Sequence, residues 1–332
     1  MDDLEAPGAM VAAAAAVATA ARDVVLLFTA GDPTSLDLCA NALLQMRAIG
    51  LEEHALVVAE RHDHCERLAE RRVRAACGWS SRILERPPSH SFALQRFWDS
   101  RFRFYYAKKY WLAELVRSGF GVLQADTDTI WNADPLPTLR SINASVVVQY
   151  DAPFANAGVV YARPGGARAQ TMLDKLAWSI QLMQNRPSAI ARIVPFATPP
   201  FYGNMDDQTG LNDAIVVAVT QNESYALLGM VFHREADNRF RHHPVKWSKR
   251  VESAAWGRGV TETRRKGVSL RTADDRRCLA FPLEPGLDHI AIAPRSLLGF
   301  PPRMESAVVH LARHRGFAAK QRFLVQAGMW RL

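Results

Sequence analysis

A strand, helix and strand pattern near the start of the chain most constrains what this sequence can fold into. The five apolar residues Val24 to Phe28 predict a fully buried strand. Apolar residues then recur at helical spacing from Ser35 to Arg47, Gly50 ends the helix, and Ala55 to Ala59 predict the next strand. This βαβ unit predicts a parallel, doubly wound α/β sheet whose ligand lies beyond the carboxyl ends of the strands.

The same alternation continues along the chain. Further strands are predicted at Phe120–Leu123, Val146–Val148 and Val159–Tyr161, and further helices at Phe102–Ser118, Arg168–Gln184 and Asp207–Val219. With 332 residues and 48% hydrophobic content, the chain can form a sizeable core as one large domain or two small ones. No linker divides it, so we predict a single domain over residues 23–332.

The first 22 residues form an alanine-rich segment. Residues 6–21 are uncharged, but they are fewer than the roughly 18 to 20 strongly apolar residues that span a bilayer. Acids precede them, in place of the basic residues of a signal peptide. We therefore predict a flexible or loosely helical tail over residues 1–22; membrane association stays open and is not shown by this segment.

Positive charge is concentrated late in the sequence. The net charge is +8, and between Arg239 and Arg277 twelve Lys and Arg stand against four acids. Because periodicity fades there as well, we predict an irregular basic insertion over residues 233–303. A solvated loop is the favoured interpretation, an anionic partner or acceptor remains open, and no nucleic-acid-binding motif accompanies the charge.

Four cysteines are present, and none of them forms a Cys-x-x-Cys pair. A zinc site or a thioredoxin-type centre is therefore not expected. Cys65 and Cys77 are near enough in sequence to form a disulfide in an oxidising compartment, and all four cysteines are equally ordinary as buried thiols. The cysteines leave the compartment open.

An acidic pair, Asp126 and Asp128, follows the apolar run from Phe120 to Leu123. Carboxylates at the carboxyl edge of a sheet can hold a divalent cation, and their hard oxygens suit Mg²⁺ or Mn²⁺. A bound cation would neutralise a nucleotide diphosphate. Alone, the Asp-x-Asp spacing also fits two exposed loop acids.

Three later motifs give this pair a context. They are Asn156-Ala157-Gly158, Asp206-Asp207-Gln208, and Val308-Val309-His310 with Gly316 and Lys320 beyond it. In this order the residues resemble the nucleotide-diphospho-sugar transferase family of plants and algae, which contains arabinosyl-, xylosyl- and galactosyltransferases and is related to glycogenin-like enzymes. The resemblance covers roughly residues 23 to 332.

The resemblance implies a GT-A-like, mostly parallel sheet flanked by helices. It also implies a metal-dependent glycosyltransferase that moves a hexosyl or pentosyl group from a nucleotide-diphosphate sugar to a glycan or glycoprotein. The implied partners are this sugar donor and this acceptor. Family members work in the Golgi and usually carry an N-terminal membrane anchor. This sequence departs from that pattern, because it shows no convincing signal peptide or anchor.

By the same resemblance, Asp126 and Asp128 bind the metal and His310 is its third ligand. A histidine ligand favours Mn²⁺ over Mg²⁺. His314 lies in the same stretch and competes with His310 for this role. A histidine after a strand is also common as a structural residue.

Other matched positions point to the nucleotide. Asp126 would also touch the ribose, and Lys320 would meet the departing diphosphate, where positive charge stabilises the leaving group. Lys108 corresponds to a family lysine on the helix before the metal strand, with Lys109 as its alternative. Thr29, after the first strand, is placed to contact the nucleobase or ribose.

The remaining candidates concern the sugar. Asp207 and Gln208 begin a predicted helix, where an acid can also act as an N-cap worth about 0.5 to 2 kcal/mol. By resemblance they border the donor sugar and carry catalysis with retention; because glutamine is no anionic nucleophile, front-face attack fits better than a covalent intermediate. Asn156 and Gly158 would contact the sugar, and Asp151 either binds it or begins a turn.

The same acidic pair also fits the first motif of one alternative enzyme class. In a phosphatase of the haloacid dehalogenase type, Asp126 would be the nucleophile and Asp128 the general acid and base. That motif ends the first strand of its domain, whereas here a complete βαβ unit precedes it. A catalytically silent sugar- or metal-binding protein is a third interpretation.

Overall fold

The structure is a computed structural model that describes residues 3–84, 101–151, 155–185, 207–227, 279–284, 288–299, 304–312 and 316–332. The strands are β1 Asp23–Thr29, β2 Ala55–Ala59, β3 Ala76–Trp79, β4 Gly121–Ala125, β5 Thr129–Trp131, β6 Val146–Tyr150, β7 Ala155–Ala162, β8 Leu279–Glu284, β9 Asp288–Ile292, β10 Leu298–Gly299 and β11 Val308–His310. The helices are α1 Ala9–Val17, α2 Pro33–Ala48, α3 His62–Ala69, α4 Arg101–Arg117, α5 Leu136–Ser141, α6 Ala167–Asn185, α7 Asp207–Thr220 and α8 Phe317–Gln326.

Eight of these strands form the main sheet in the order β3-β2-β1-β4-β7-β6-β9-β8. Strands β1 to β4 are parallel where they pair, and β7 then runs antiparallel between β4 and β6. The expected α/β class, with a mostly parallel sheet flanked by helices, is confirmed. The predicted βαβ unit is β1, α2 and β2.

The central strand β1 shows why the sheet is covered on both faces. Val24, Leu26 and Phe28 belong to the hydrophobic core on the side of α1, α4, α6 and α7. Val25 and Leu27 alternate with them and pack into the core on the side of α2. Alternate side chains of a strand point to opposite faces, so a continuous apolar run such as this needs helices on both.

A second sheet of three strands, in the order β10-β11-β5, lies beside the carboxyl end of β4. Its strands β5 and β11 are antiparallel, and their register pairs Thr129 with His310. This pairing brings the late sequence around His310 back to the acidic pair.

The alanine-rich segment, expected as a flexible or loosely helical tail, is helical in part and packs against the core over its described residues. The backbone N–H of Leu4 donates to the carbonyl of Trp79 over 2.8 Å, and residues 9–17 form α1. Met10, Ala14 and Val17 are buried in the core that covers β1. Alanine favours helix and its small side chain allows close packing, so a composition typical of a loose tail also fits a packed helix.

The predicted irregular insertion, residues 233–303, is only partly within the described residues. Residues 233–278 lie outside them, together with 285–287 and 300–303. Residues 279–284 and 288–299, which are described, contribute β8 and β9 to the main sheet and β10 to the second, so they are not irregular. Short strands next to prolines carry too little periodicity to be recognised from sequence alone.

Cys65 of α3 and Cys77 of β3 form a disulfide, and Cys39 is a buried free thiol. The disulfide is one of the two states that the sequence left open for these cysteines.

No helix among the described residues is both long and apolar enough to cross a membrane.

We expect replacement of both Cys65 and Cys77 by alanine to lower the free energy of unfolding by about 2 to 3 kcal/mol, the value for a closed loop of this size. The physical reason is that the disulfide restricts the unfolded chain over a separation of 12 residues. Urea unfolding under oxidising and reducing conditions measures the loss. Reduction should destabilise the unsubstituted protein and leave the double variant unchanged; equal sensitivity of both would contradict the prediction.

Candidate active site

Asp126, Asp128 and His310 converge at the junction of the two sheets. Their ligand atoms all lie within 4.8 Å of one another. His310 Nε2 is 3.6 Å from Asp126 Oδ2 and 3.4 Å from Asp128 Oδ1. Two carboxylates and an imidazole are a donor set that suits a divalent cation such as Mn²⁺.

Strand geometry places these groups together. Asp126 directly follows β4, and its backbone N–H donates to the carbonyl of Gly158 on β7 over 2.7 Å. Asp128 directly precedes β5, and the register of β5 with β11 sets His310 opposite Thr129. The Asp-x-Asp segment is therefore held between β7 and β11.

Asn156 and Gly158 orient the imidazole of His310. The Nδ1 of His310 lies 3.0 Å from Asn156 Oδ1, to which the backbone N–H of Gly158 also donates over 2.7 Å. This contact leaves Nε2 to face the carboxylates, as a metal-binding histidine requires. A Cβ on Gly158 would lie 2.1 Å from His310 Cε1, so glycine here makes room for the imidazole.

Two lysines neutralise the acidic pair. Lys108 Nζ lies 2.5 Å from Asp126 Oδ1, and Lys320 Nζ lies 2.6 Å from Asp128 Oδ2. Burial alone would raise the pKa of Asp128, but His310 and Lys320 outweigh burial and hold this pKa below its usual range. Burial would lower the pKa of His310, but Asp128 and Asp126 hold it above its usual value. The site is thus a cluster of charged groups.

Asp207, the first residue of α7, lies on the other side of Lys108. Its Oδ2 is 3.0 Å from Lys108 Nζ and 3.4 Å from Lys109 Nζ. Burial lowers the pKa of Lys109 to about 8, although Asp207 opposes this shift. Burial would raise the pKa of Asp207, but the two lysines outweigh it and lower the value. Asp207 is therefore a buried, paired carboxylate and a weak base.

Lys109 also donates to groups below the site, namely Gln124 Oε1 over 2.6 Å and the carbonyl of Ala157 over 3.1 Å. Lys108, by contrast, bridges Asp126 and Asp207. The two neighbouring lysines therefore differ: Lys108 borders the candidate metal ligands, and Lys109 supports Asp207 from within the protein.

Gln208, Asp151 and Asn156 form a hydrogen-bonded triangle next to Asp207. Asn156 Nδ2 donates to Gln208 Oε1 over 3.0 Å and to Asp151 Oδ2 over 3.2 Å. Gln208 Nε2 donates to the same Asp151 oxygen over 3.0 Å. The sequence predicts Gln208 beside the donor sugar, Asn156 in contact with it, and Asp151 either binding it or beginning a turn. The structure brings the three within hydrogen-bonding distance of one another.

A cleft of about 430 Å³ opens beside the acidic pair. It is lined by Asp126, Thr127, Asp128 and Lys108 on one side, and by Phe28, Ala30, Asp32, Thr34, Ser35, Phe104 and Tyr105. The structure does not place Thr29 in this lining, because its side chain is buried and its hydroxyl donates to the carbonyl of Ala30. The alternation of β1 turns Phe28 and Ala30 towards the cleft instead.

Sequence reasoning missed the aromatic lining of this cleft. Phe104 and Tyr105 lie in α4, and Tyr105 is close enough to Lys108 for a cation–π contact of 5.4 Å. The signal was present in the sequence, because residues three and four apart share one face of a helix. His314 and Asp206, which the sequence also suggested, lie outside the described residues.

Comparison with known proteins supports one enzyme class. The family model described as nucleotide-diphospho-sugar transferase matches residues 50–227, more than half of the chain. The haloacid dehalogenase alternative gains no support: Asp126 follows the fourth strand, and a histidine from β11 faces it. No curated protein matches the chain significantly.

Solved structures with a distant similarity are glycosyltransferases. Mouse xyloside xylosyltransferase 1 shares 12% identity over 61% of this chain and 83% of its own, with a TM-score of 0.37. The galactosyltransferase LgtC, solved with donor and acceptor sugar analogues, shares 14% identity over 57% and 70%, with a TM-score of 0.36. This chain spans only 34% of the bifunctional glycosyltransferase WbbM, at 12% identity and a TM-score of 0.34.

Proposed function

This chain belongs to the nucleotide-diphospho-sugar transferase family, and from that premise we propose a metal-dependent glycosyltransferase that acts on a glycan or glycoprotein. The observation that carries the proposal is the meeting of Asp126, Asp128 and His310 within 4.8 Å, beside a cleft. Both hexosyl and pentosyl donors are consistent with it.

Asp126, Asp128 and His310 would hold the cation, for which Mn²⁺ is the favoured candidate and Mg²⁺ the alternative. The bound cation would supply charge neutralisation for a diphosphate. The position of Asn156 against His310 Nδ1 supports this role, since it keeps Nε2 turned towards the two carboxylates.

Lys108 and Lys320 are the proposed diphosphate contacts. Each ammonium lies within 2.6 Å of a carboxylate oxygen of the acidic pair, and Lys108 also lines the cleft. Fixed positive charge at this place stabilises the negative charge that develops on a leaving diphosphate. The nucleoside would then extend into the part of the cleft lined by Phe104 and Tyr105.

Asp207, Gln208, Asp151, Asn156 and Gly158 are the proposed sugar side of the site. Because Asp207 is paired with two lysines and its pKa is lowered, it is poorly suited to take a proton from the acceptor. This favours a positioning role and a retaining reaction over general-base catalysis with inversion. Thr29 is buried and would act only indirectly, from beneath the nucleotide.

A Golgi location is a further part of the proposal. The Cys65–Cys77 disulfide supports it, because disulfides form and persist in the oxidising secretory pathway. Residues 23–332, together with the packed helix α1, would act as one transferase domain, and residues 233–278 are the segment that carries most of the basic charge.

We expect nucleotide binding to require the cation. Calorimetry with UDP and GDP, in Mn²⁺ and in EDTA, should show affinity at least about tenfold weaker without metal, a loss of about 1.4 kcal/mol. The reason is that without a cation Lys108 and Lys320 stay paired with Asp126 and Asp128, so little positive charge is left for a diphosphate. UMP and GMP serve as controls that should respond less. Equal diphosphate affinity in EDTA and Mn²⁺ would remove the metal from the proposal.

The donor itself is found by a screen. Purified protein is incubated with Mn²⁺ and each of a set of nucleotide sugars, and release of the nucleoside diphosphate is measured with and without acceptor glycans. We expect turnover of one donor or a few closely related donors. Release of inorganic phosphate from phosphate esters, without any sugar donor, would instead favour a phosphatase.

A further inference from the structure

Two buried amide side chains on α2 bind the backbone that follows α8. Asn41 Oδ1 accepts a hydrogen bond from the backbone N–H of Arg331 over 2.7 Å. Gln45 Nε2 donates to the carbonyl of Met329 over 2.7 Å. Both amides are 1% exposed and one helical turn apart. The contacts join parts of the chain that are 290 and 284 residues apart in sequence.

Gln45 also reaches the strand that follows the acidic pair. Its Oε1 accepts a hydrogen bond from the backbone N–H of Trp131 on β5 over 2.8 Å. One amide therefore links β5, which begins directly after Asp128, to the segment that follows α8. A buried amide with both ends paired fixes the relative position of two backbones more narrowly than apolar contact can.

The helix α8 lies on a small hydrophobic cluster of its own. Leu38, Ile130, Val309, Leu311 and Leu324 form this α8 cluster. Phe317 at the start of α8 meets Trp330 edge to face at 6.2 Å, so residue 330 folds back onto the helix. A helix of 10 residues is marginal by itself, and its position depends on such tertiary contacts.

The consequence reaches the site through Lys320. Lys320 lies on α8, and its Nζ is 2.6 Å from Asp128 Oδ2. Its side chain is long, so the place of the ammonium depends on where α8 is held. The contacts of Asn41 and Gln45 hold the backbone at residues 329–331, which folds back on α8.

We propose that Asn41 and Gln45 are positioning residues for the diphosphate contact of Lys320. They fasten residues 329–331 to α2 and so hold α8 where its lysine reaches the acidic pair. This inference rests on the proposed function, because it takes the diphosphate as the ligand of Lys320. Neither amide touches the ligand itself.

The test compares Asn41→Leu and Gln45→Met with the unsubstituted chain. Gln170→Met is the matched control, because it removes a similar amide-to-backbone bond, to the carbonyl of Ala113 over 3.1 Å, between α6 and α4. Calorimetry in Mn²⁺ measures the affinity for UDP, GDP, UMP and GMP, and a separate titration measures the affinity for Mn²⁺ alone. Thermal unfolding shows that each variant is folded at the assay temperature.

We expect each α2 variant to bind the diphosphate that the unsubstituted chain prefers roughly three- to tenfold more weakly, the size of one hydrogen-bond contribution. Affinity for the matching monophosphate should change less than about twofold in both variants, and so should affinity for Mn²⁺ in Asn41→Leu, which leaves the Gln45 bond to β5 intact. In a Lys320→Met background the α2 substitutions should cause no further loss, because they act through that lysine.

Several results would overturn the inference, and failure of the proposed function is distinguishable from failure of the positioning role. If the unsubstituted chain binds no nucleoside diphosphate in Mn²⁺, the proposed function fails and the inference fails with it. If it binds a diphosphate and the α2 variants bind it equally well, or lose diphosphate and monophosphate alike, only the positioning role is refuted. Additive losses in the Lys320→Met background refute it as well.

Discussion

Replacing Asp128 by asparagine should abolish transfer while leaving the chain folded. We expect kcat/KM to fall by at least about 10³-fold, the scale of losing a main electrostatic contact to the transition state. Asp128 is 8% exposed, and its carboxylate lies next to His310 and Lys320. Asparagine keeps the shape of the side chain but removes the charge that would bind the cation. Donor turnover and Mn²⁺ titration measure both losses.

Asp134→Asn is the matched control for this variant. Asp134 lies in the loop after β5, is exposed, and accepts a hydrogen bond from the backbone N–H of Leu136. Its substitution should leave kcat/KM within about twofold, as for an ordinary surface change. Asp128→Asn activity within tenfold of the unsubstituted chain would count against the whole candidate site.

Replacing Asp207 by asparagine should lower kcat by roughly 10²- to 10³-fold, with donor affinity changed less than about threefold. A group whose main effect is on the transition state alters kcat more than ground-state binding. Asp207 lies against Lys108 and Lys109 and beside Gln208, where the donor sugar is proposed to sit. Initial rates and calorimetry with the same donor separate the two quantities.

The control for Asp207 is on the same helix. Asp213 is also buried but lines a separate cavity of about 240 Å³ that includes Trp178, and Asp213→Asn should spare kcat/KM. NMR of the first-formed product then gives the anomeric outcome. An α-linked donor should yield an α-linked product; a β-linked product would mean that a carboxylate acts as general base and that the retaining assignment is wrong.

The sequence predicted the central part of the fold because strong local signals agree there. The βαβ unit combines an apolar run, a helical repeat and a glycine stop, and the structure places β2 at the predicted residues Ala55–Ala59. The prediction that His310 meets Asp126 rested on the order of motifs and the family resemblance. No local property of a histidine after a strand indicates its partner. The register of β5 with β11 supplies the physical cause.

Other features depend on contacts that sequence does not display. Thr29 follows a predicted strand like many nucleotide-binding residues, yet its side chain is buried at the end of β1. The alanine-rich segment packs on β2 and β3, and neither strand can be seen from the segment itself. Gln45 meets Met329 across 284 residues. Such amide contacts leave no periodic pattern, so only the folded chain shows them.

The hydrogen bonds of Asn156 have a practical consequence for redesign of the enzyme. This one side chain joins Gln208, on the proposed sugar side, to His310, among the proposed metal ligands. Changing Gln208 to accept another sugar would therefore shift the amide and, through it, the imidazole. Libraries aimed at donor preference should be screened in several divalent cations in parallel, because the best cation for a new donor need not be the one that serves the original.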